Sequence, residues 1–167
     1  MPALPGECCN WAKYCRKEEV DMQILVDADA CPVKEIIVKV ARQCGLAVTM
    51  LIDTSHELND GYSRVITVDK ARDSVDIALI NLVSSGDIVV TQDYGVAAMA
   101  LGKKARALNQ NGLVFSDDNI DRLLFERHLG QKVRRAGGRT ANLPKRSRED
   151  DANFESAFRK LVDDQIV

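Results

Sequence analysis

The chain has 167 residues, 46% of them hydrophobic, enough for one globular domain with a sizeable core. Its charged fraction is 29% and its net charge is −2, so overall charge excludes neither acidic nor basic partners. No run approaches the roughly 20 apolar residues of a membrane span, which excludes an integral helical membrane protein.

The first 21 residues, MPALPGECCNWAKYCRKEEVD, show no hydrophobic period and lack the apolar stretch of a secretory signal. They read as an N-terminal extension of uncertain structure, and a cytoplasmic protein is the expectation. The cysteines, Cys8, Cys9, Cys15, Cys31 and Cys44, are odd in number and form no repeated CxxC pair, which argues against a disulfide framework. Cys31 and Cys44 read as small packing residues. His56 and His128 are the only histidines, and neither has a companion at ligand spacing, which argues against zinc.

From Met22 the pattern becomes regular. QILVD (23–27) reads as a short buried strand. Pro32 suits the first turn of a helix. Val33, Ile36, Ile37, Val40 and Ala41 then mark an amphipathic helix over 33–43, with Gly45 as its C-cap. LAVTMLI (46–52) is a second strand, DTSHELNDGYS (53–63) a polar loop and RVITV (64–68) a third strand. ARDSVDIALINLVSS (71–85) is a helix, apolar over most of its circumference. GDIVVTQD (86–93) is a fourth strand and YGVAAMALGKKA (94–105) a short helix. ARAL and LVFS flank the turn NQNG as a hairpin. DDNIDRLLFERHL (117–129) is a helix with acids at its start, as its dipole prefers. This alternation predicts an α/β domain over 22–129 with a mainly parallel central sheet.

The stretch 130–148, GQKVRRAGGRTANLPKRSR, carries Lys132, Arg134, Arg135, Arg139, Lys145, Arg146 and Arg148 and no acid. Gly137, Gly138 and Pro144 predict irregular structure there. EDDANFESAFRKLVDDQIV predicts a short helix packing through Phe154, Phe158 and Leu161. Residues 130–167 therefore read as a basic tail with a short C-terminal helix.

In parallel α/β sheets, ligands bind outside the carboxyl ends of the strands, where strand order reverses. Asp27 and Asp29 end the first strand, and Asp93 ends the fourth. Asp73 and Asp76 share a face of a helix, Asp76 inside the apolar VDIALI, and Asp117 and Asp118 follow LVFS. Helix capping is the plainer explanation open to Asp29, Asp93, Asp117 and Asp118. Taken together, it must account for acids at the ends of two strands and one inside an apolar helix. Carboxylates converging on one crevice would make an oxygen-rich site for Mg²⁺ or Mn²⁺. Thr91 adds a hydroxyl at the same edge, or is simply a β-branched strand residue.

ILVDADACPVKEII, ARDSVDIALI, GDIVVTQDYGVAAMAL, NIDRLLFERHL and RRAGGR together resemble the YaiI/YqxD family of uncharacterised bacterial proteins, from about Met22 to about Asp151. That family is similar to the PIN-like domains, which include metal-dependent ribonucleases. The resemblance implies a three-layer PIN-like domain, its mainly parallel central sheet flanked by helices. It implies Asp27 as the first-strand acid, Asp76 or Asp73 as the helical acid, Asp93 after the fourth strand, and Asp117 or Asp118 as a later acid. Asp29 and Cys31-Pro32 belong to the narrower family pattern. Asp27, Asp76 and Asp93 are then the catalytic candidates. Asp29 and Asp73 join them as metal ligands, with Thr91, Asp117 and Asp118 auxiliary. Arg134, Arg135, Arg139, Lys145 and Arg146 suit attraction to an RNA backbone, with Gly137 and Gly138 letting phosphates approach. The plainer alternative for this stretch is a solvated linker.

Two other readings fit the same residues. Asp27-Ala28-Asp29 resembles the opening of a haloacid-dehalogenase-type phosphatase, with Thr91, Lys103 or Lys104, and Asp117 or Asp118 as its later motifs. Against it, Cys31 stands where Thr is usual, and Pro32 leaves no room for the flap. Alternatively the acids are structural and the domain is a non-catalytic RNA-binding module. Catalytic activity and self-association are not legible at this level.

Overall fold

A computed structural model describes residues 22–29, 31–71, 74–138 and 145–166. Its elements in chain order are β1 (Gln23–Asp27), α1 (Lys34–Cys44), β2 (Ala47–Asp53), β3 (Arg64–Val68), α2 (Ser74–Leu82), β4 (Ile88–Val90), α3 (Tyr94–Gly102), β5 (Arg106–Leu108), β6 (Val114–Phe115), α4 (Asp117–Arg135) and α5 (Arg148–Ile166).

The order across the sheet is β3-β2-β1-β4-β5-β6. Every neighbouring pair is parallel except the β5–β6 hairpin. The central strands are unbroken apolar runs because helices cover both faces. Side chains alternate between the faces. Ile24, Val26, Met50 and Ile88 join Ile37, Val40, Phe154 and Phe158 of α1 and α5. Leu25, Leu51 and Val89 join Leu79, Val96, Ile120 and Leu123 of α2, α3 and α4. The result is the three-layer α/β architecture that the sequence implies, consistent with a PIN-like arrangement. Among the described residues no helix is long and apolar enough to cross a membrane.

The chain runs outward from β1 through β2 to β3, then returns to the other side of β1 for β4, β5 and β6. Strand order reverses between β1 and β4, so a crevice is expected at their carboxyl ends.

Several local expectations need correction. Pro32 precedes α1 rather than entering it: Val33 is the N-cap and Lys34 the first helical residue. Gly45 does cap α1, with φ 68°. The N-cap of α4 is Ser116, which forms a capping box with Asn119, so Asp117 and Asp118 sit in the first turn. The expected irregularity from residue 130 onward fails for residues 130–135, where α4 continues to Arg135. The helix stops where Gly137 takes φ 80°. The Gly137 amide donates to the Arg134 carbonyl and the Gly138 amide to that of Val133, the paired bonds of a Schellman motif. The C-terminal helix is longer than expected: α5 has 19 residues, and Phe154, Phe158, Leu161 and Val162 are buried.

Candidate metal centre

The side-chain alternation that sends Ile24 and Val26 toward α1 turns Asp27 the other way, toward α2. Beyond it the chain leaves the sheet, and Asp29 accepts the Asp53 amide on its Oδ1 at 2.9 Å. That bond ties the exit of β1 to the end of β2. Asp53 ends β2 as Asp27 ends β1, one strand over. Its Oδ1 accepts the Ser55 amide at 2.7 Å and lies 2.9 Å from His56 Nδ1. The same ring nitrogen is 3.3 Å from Asp29 Oδ1.

A cleft of about 300 Å³ opens beside these groups, lined by Asp27, Asp29, Asp53, Lys70, Ala71, Ser74, Val75 and Asp76. The first turn of α2 forms its wall and carries Asp76. Asp27 is pushed up to about 6, first by burial and then by the charges of Asp76 and Asp29, with Asp93 adding a smaller push. A bond from the Asp29 backbone opposes these effects. Asp53 is held below the usual carboxylate range by its hydrogen bonds to His56 and to the Ser55 amide.

Asp29, Asp53 and His56 offer ligand atoms that lie within 4.8 Å of one another, close enough to share one cation. This corrects the expectation that neither histidine has a companion. Asp53, the last residue of β2, precedes His56 by three residues, and Asp29 arrives from beyond β1. Spacing along the chain shows the first partner only if Asp53 is counted as a ligand, and cannot show the second.

Asp93 lies near enough to raise Asp27, yet both of its oxygens are engaged. Its Oδ1 accepts the amides of Gly95 at 2.7 Å and Val96 at 3.2 Å, making it the N-cap of α3. Its Oδ2 accepts Nη1 of Arg127, from α4, at 2.9 Å. Burial pushes the Asp93 carboxyl up, but the Arg127 guanidinium and the two amides outweigh it and hold the group low. Arg127 also lies over the Tyr94 ring, 5.8 Å from its centroid. Thr91 is buried, and its Oγ1 accepts the Asp93 amide at 3.1 Å, bracing the same turn.

The structure therefore brings Asp27, Asp29 and Asp76 together and sets Asp93 and Thr91 beside them, with Asp93 bound by its cap and by Arg127. Asp117 and Asp118 are exposed and do not line the cleft. Asp73 and Arg139 lie outside the described residues. Arg134, Arg135 and Lys145 are exposed. Arg146 is engaged at the start of α5: its Nε meets Asp151 at 2.6 Å, and its two Nη atoms donate to Asn111 and to the Gln110 carbonyl. Lys103 donates to the carbonyls of Ile80 and Val83 at the end of α2, so it is not a phosphate-binding lysine at this cleft. Cys31 is buried near Asp27, and burial pushes its thiol up, away from nucleophilic use. Asp53, His56, Lys70 and Arg127 are the residues that sequence reasoning missed. The only signal for Asp53 was its place after the apolar run MLI, which repeats that of Asp27 after ILV.

Comparison with known proteins gives the same family as the motifs. The family model described as "Uncharacterized BCR, YaiI/YqxD family" matches residues 25–164. A "UPF0178 protein" of Ruminiclostridium cellulolyticum is 76% identical over 137 residues, 82% of this chain and 90% of the relative. Another, of Alkaliphilus oremlandii, is 52% identical, covering 87% of this chain and 94% of the relative. A third, of Lachnoclostridium phytofermentans, is 56% identical, covering 84% and 97%. No solved structure matches the chain. The protein belongs to the YaiI/YqxD family.

Proposed function

We propose that this protein is a divalent-metal-dependent nuclease acting on RNA phosphodiesters, built on a PIN-like domain. The observation that carries the reading is the convergence of Asp27, Asp29, Asp53 and Asp76 at one cleft beside the switch point of the sheet, with His56 against Asp29 and Asp53. Burial first, and then the charges of Asp76 and Asp29, raise Asp27, and a cation would relieve the shift.

The donor set fits such an ion. Asp29, Asp53 and His56 would hold it together, with Asp27 and Asp76 alongside. Carboxylates suit Mg²⁺ and Mn²⁺, and the imidazole moves the preference toward Mn²⁺. When bound, the ion supplies Lewis acidity, lowers the pKa of water and stabilises charge on a phosphodiester.

The chain's own residues do the rest. Asp27, pushed up to about 6 in the metal-free protein, would be held ionised beside a cation and so serve as a ligand. Lys70, on the cleft wall, offers a cation for a phosphate oxygen. Arg127 positions Asp93 and keeps its charge at the edge of the cleft. Arg134, Arg135 and Lys145 attract the nucleic-acid backbone without reading its sequence.

The test is calorimetric titration of Mn²⁺ into wild type and into Asp27→Asn, followed by cleavage of structured and single-stranded RNA with each. Binding and cleavage by wild type, with cleavage abolished in a folded Asp27→Asn, support the proposal. Cleavage at the wild-type rate by Asp27→Asn refutes it. RNA binding with neither metal binding nor cleavage leaves the non-catalytic module.

A further inference from the structure

Helix α4 has two apolar faces, and among the described residues only one is covered. Ile120 and Leu123 are buried against the sheet, and Arg127 continues that side of the helix to Asp93. Phe125, Leu129 and Val133 follow the i, i+4, i+8 spacing that places them on a single face. Ile120, Leu123 and Arg127 are spaced to lie on the opposite one. Phe125 is 62% exposed, Leu129 44% and Val133 49%. Singly exposed apolar residues are ordinary, but three in line on one helix form a stripe that needs an explanation.

We infer that this stripe is a self-association surface, on which a second copy of the chain packs α4 against α4, antiparallel, about a two-fold axis. Charge selects this occupant. The first half of α4 carries Asp117, Asp118, Asp121 and Glu126 against Arg122 alone. The second half carries Arg127, Lys132, Arg134 and Arg135 and no acid. Antiparallel pairing sets the acidic half of each copy along the basic half of the other, and a two-fold axis makes the match twice. Centred between Phe125 and Leu129, it puts Phe125 of one copy near Leu129 of the other. In that register Asp121 comes within one residue of facing Lys132, and Asp118 within one residue of facing Arg135. Helical spacing puts Asp118, Asp121 and Lys132 along the stripe. A parallel pairing would instead set acids on acids and bases on bases.

The inference does not depend on the nuclease reading. It is tested by sedimentation velocity and equilibrium on the full chain. Wild type should be dimeric at micromolar concentration. Leu129→Lys should raise the dimer Kd about 30-fold or more. Asp121→Lys and Lys132→Asp should each weaken self-association about 10-fold, because each sets like charges across the axis twice. Mixed one to one, these two variants should form a heterodimer close to wild-type affinity. All three substitutions fall on exposed positions, and circular dichroism checks that the fold is kept. A wild type that stays monomeric at about 100 µM overturns the inference, whatever else then covers the stripe. So does a dimer indifferent to Leu129→Lys, or the absence of heterodimer in the mixture.

Discussion

Arg127 Nη1 lies 2.9 Å from Asp93 Oδ2, joining the middle of α4 to the N-cap of α3. The contact holds a carboxylate at the edge of the candidate metal centre, and it sets a cation against a cluster of acids. Both partners are partly exposed, at 40% and 31%, so its direct contribution to stability is about 1 kcal/mol or less.

Its effect on the cleft is larger in kind. Arg127→Leu removes a positive charge and releases one Asp93 oxygen, so Mn²⁺ should bind several-fold more tightly while stability falls only slightly. Asp93→Asn keeps the α3 cap, whereas Asp93→Ala loses it at a cost of about 1 kcal/mol. Calorimetry and urea unfolding on the three variants separate the two effects. Weaker metal binding in Arg127→Leu would show that the pair supports the site rather than restraining it.

Asp27 gives a pH dependence of definite sign. Its folded value, about 6, lies above its ordinary value of 3.8. Below the ordinary value the carboxyl is protonated whether the chain is folded or not, and the folded state bears no charge penalty. As pH rises through about 6, the buried group ionises beside Asp76 and Asp29, and that stability is lost. Metal-free Asp27→Asn should therefore be more stable than wild type at pH 7 and equal to it near pH 4. Unfolding curves at both pH values decide this. An equal loss at both would mean that Asp27 makes a structural hydrogen bond instead.

Asp53 and His56 should matter to metal and little to fold. Asp53 ends β2, His56 lies exposed in the loop after it, and their mutual contact is local. Asp53→Asn and His56→Gln are each expected to weaken Mn²⁺ binding about 10-fold or more, with unfolding midpoints nearly unchanged. Wild-type binding should also weaken as pH falls below about 6, where Asp27 takes up a proton. Unaltered affinity in both variants would move the ion away from the Asp29–Asp53–His56 group.

The basic residues should divide by role. Arg146 joins α5 to the β5–β6 hairpin through Asp151, Asn111 and the Gln110 carbonyl. Arg146→Ala should cost about 1–3 kcal/mol of stability and leave RNA affinity nearly intact. Arg134→Ala with Arg135→Ala should leave stability alone, weaken RNA binding and flatten its salt dependence. Fluorescence anisotropy at two salt concentrations, beside urea unfolding, checks both halves. Loss of RNA binding in Arg146→Ala at full stability would reverse the assignment.

The sequence by itself determined the layers. Unbroken apolar strands separated by amphipathic helices can bury both sheet faces only in an α/β stack, and a three-residue run such as IVV carries that signal locally. It also placed Asp27 at the end of β1, whereas Asp93, expected to end the fourth strand, lies past β4 (Ile88–Val90) as the N-cap of α3. Only the tertiary structure decided which acids share a space. Asp29 meets Asp53 and His56 because β1 and β2 lie side by side in parallel register, and Asp93 meets Arg127 because α4 packs against α3. Those contacts span 24 and more residues, and no local pattern encodes them. The glycines of RRAGGR show the converse limit. As letters they suit a phosphate cradle or a helix stop alike, and the left-handed turn at Gly137, with its two amides returned to α4, makes them a stop.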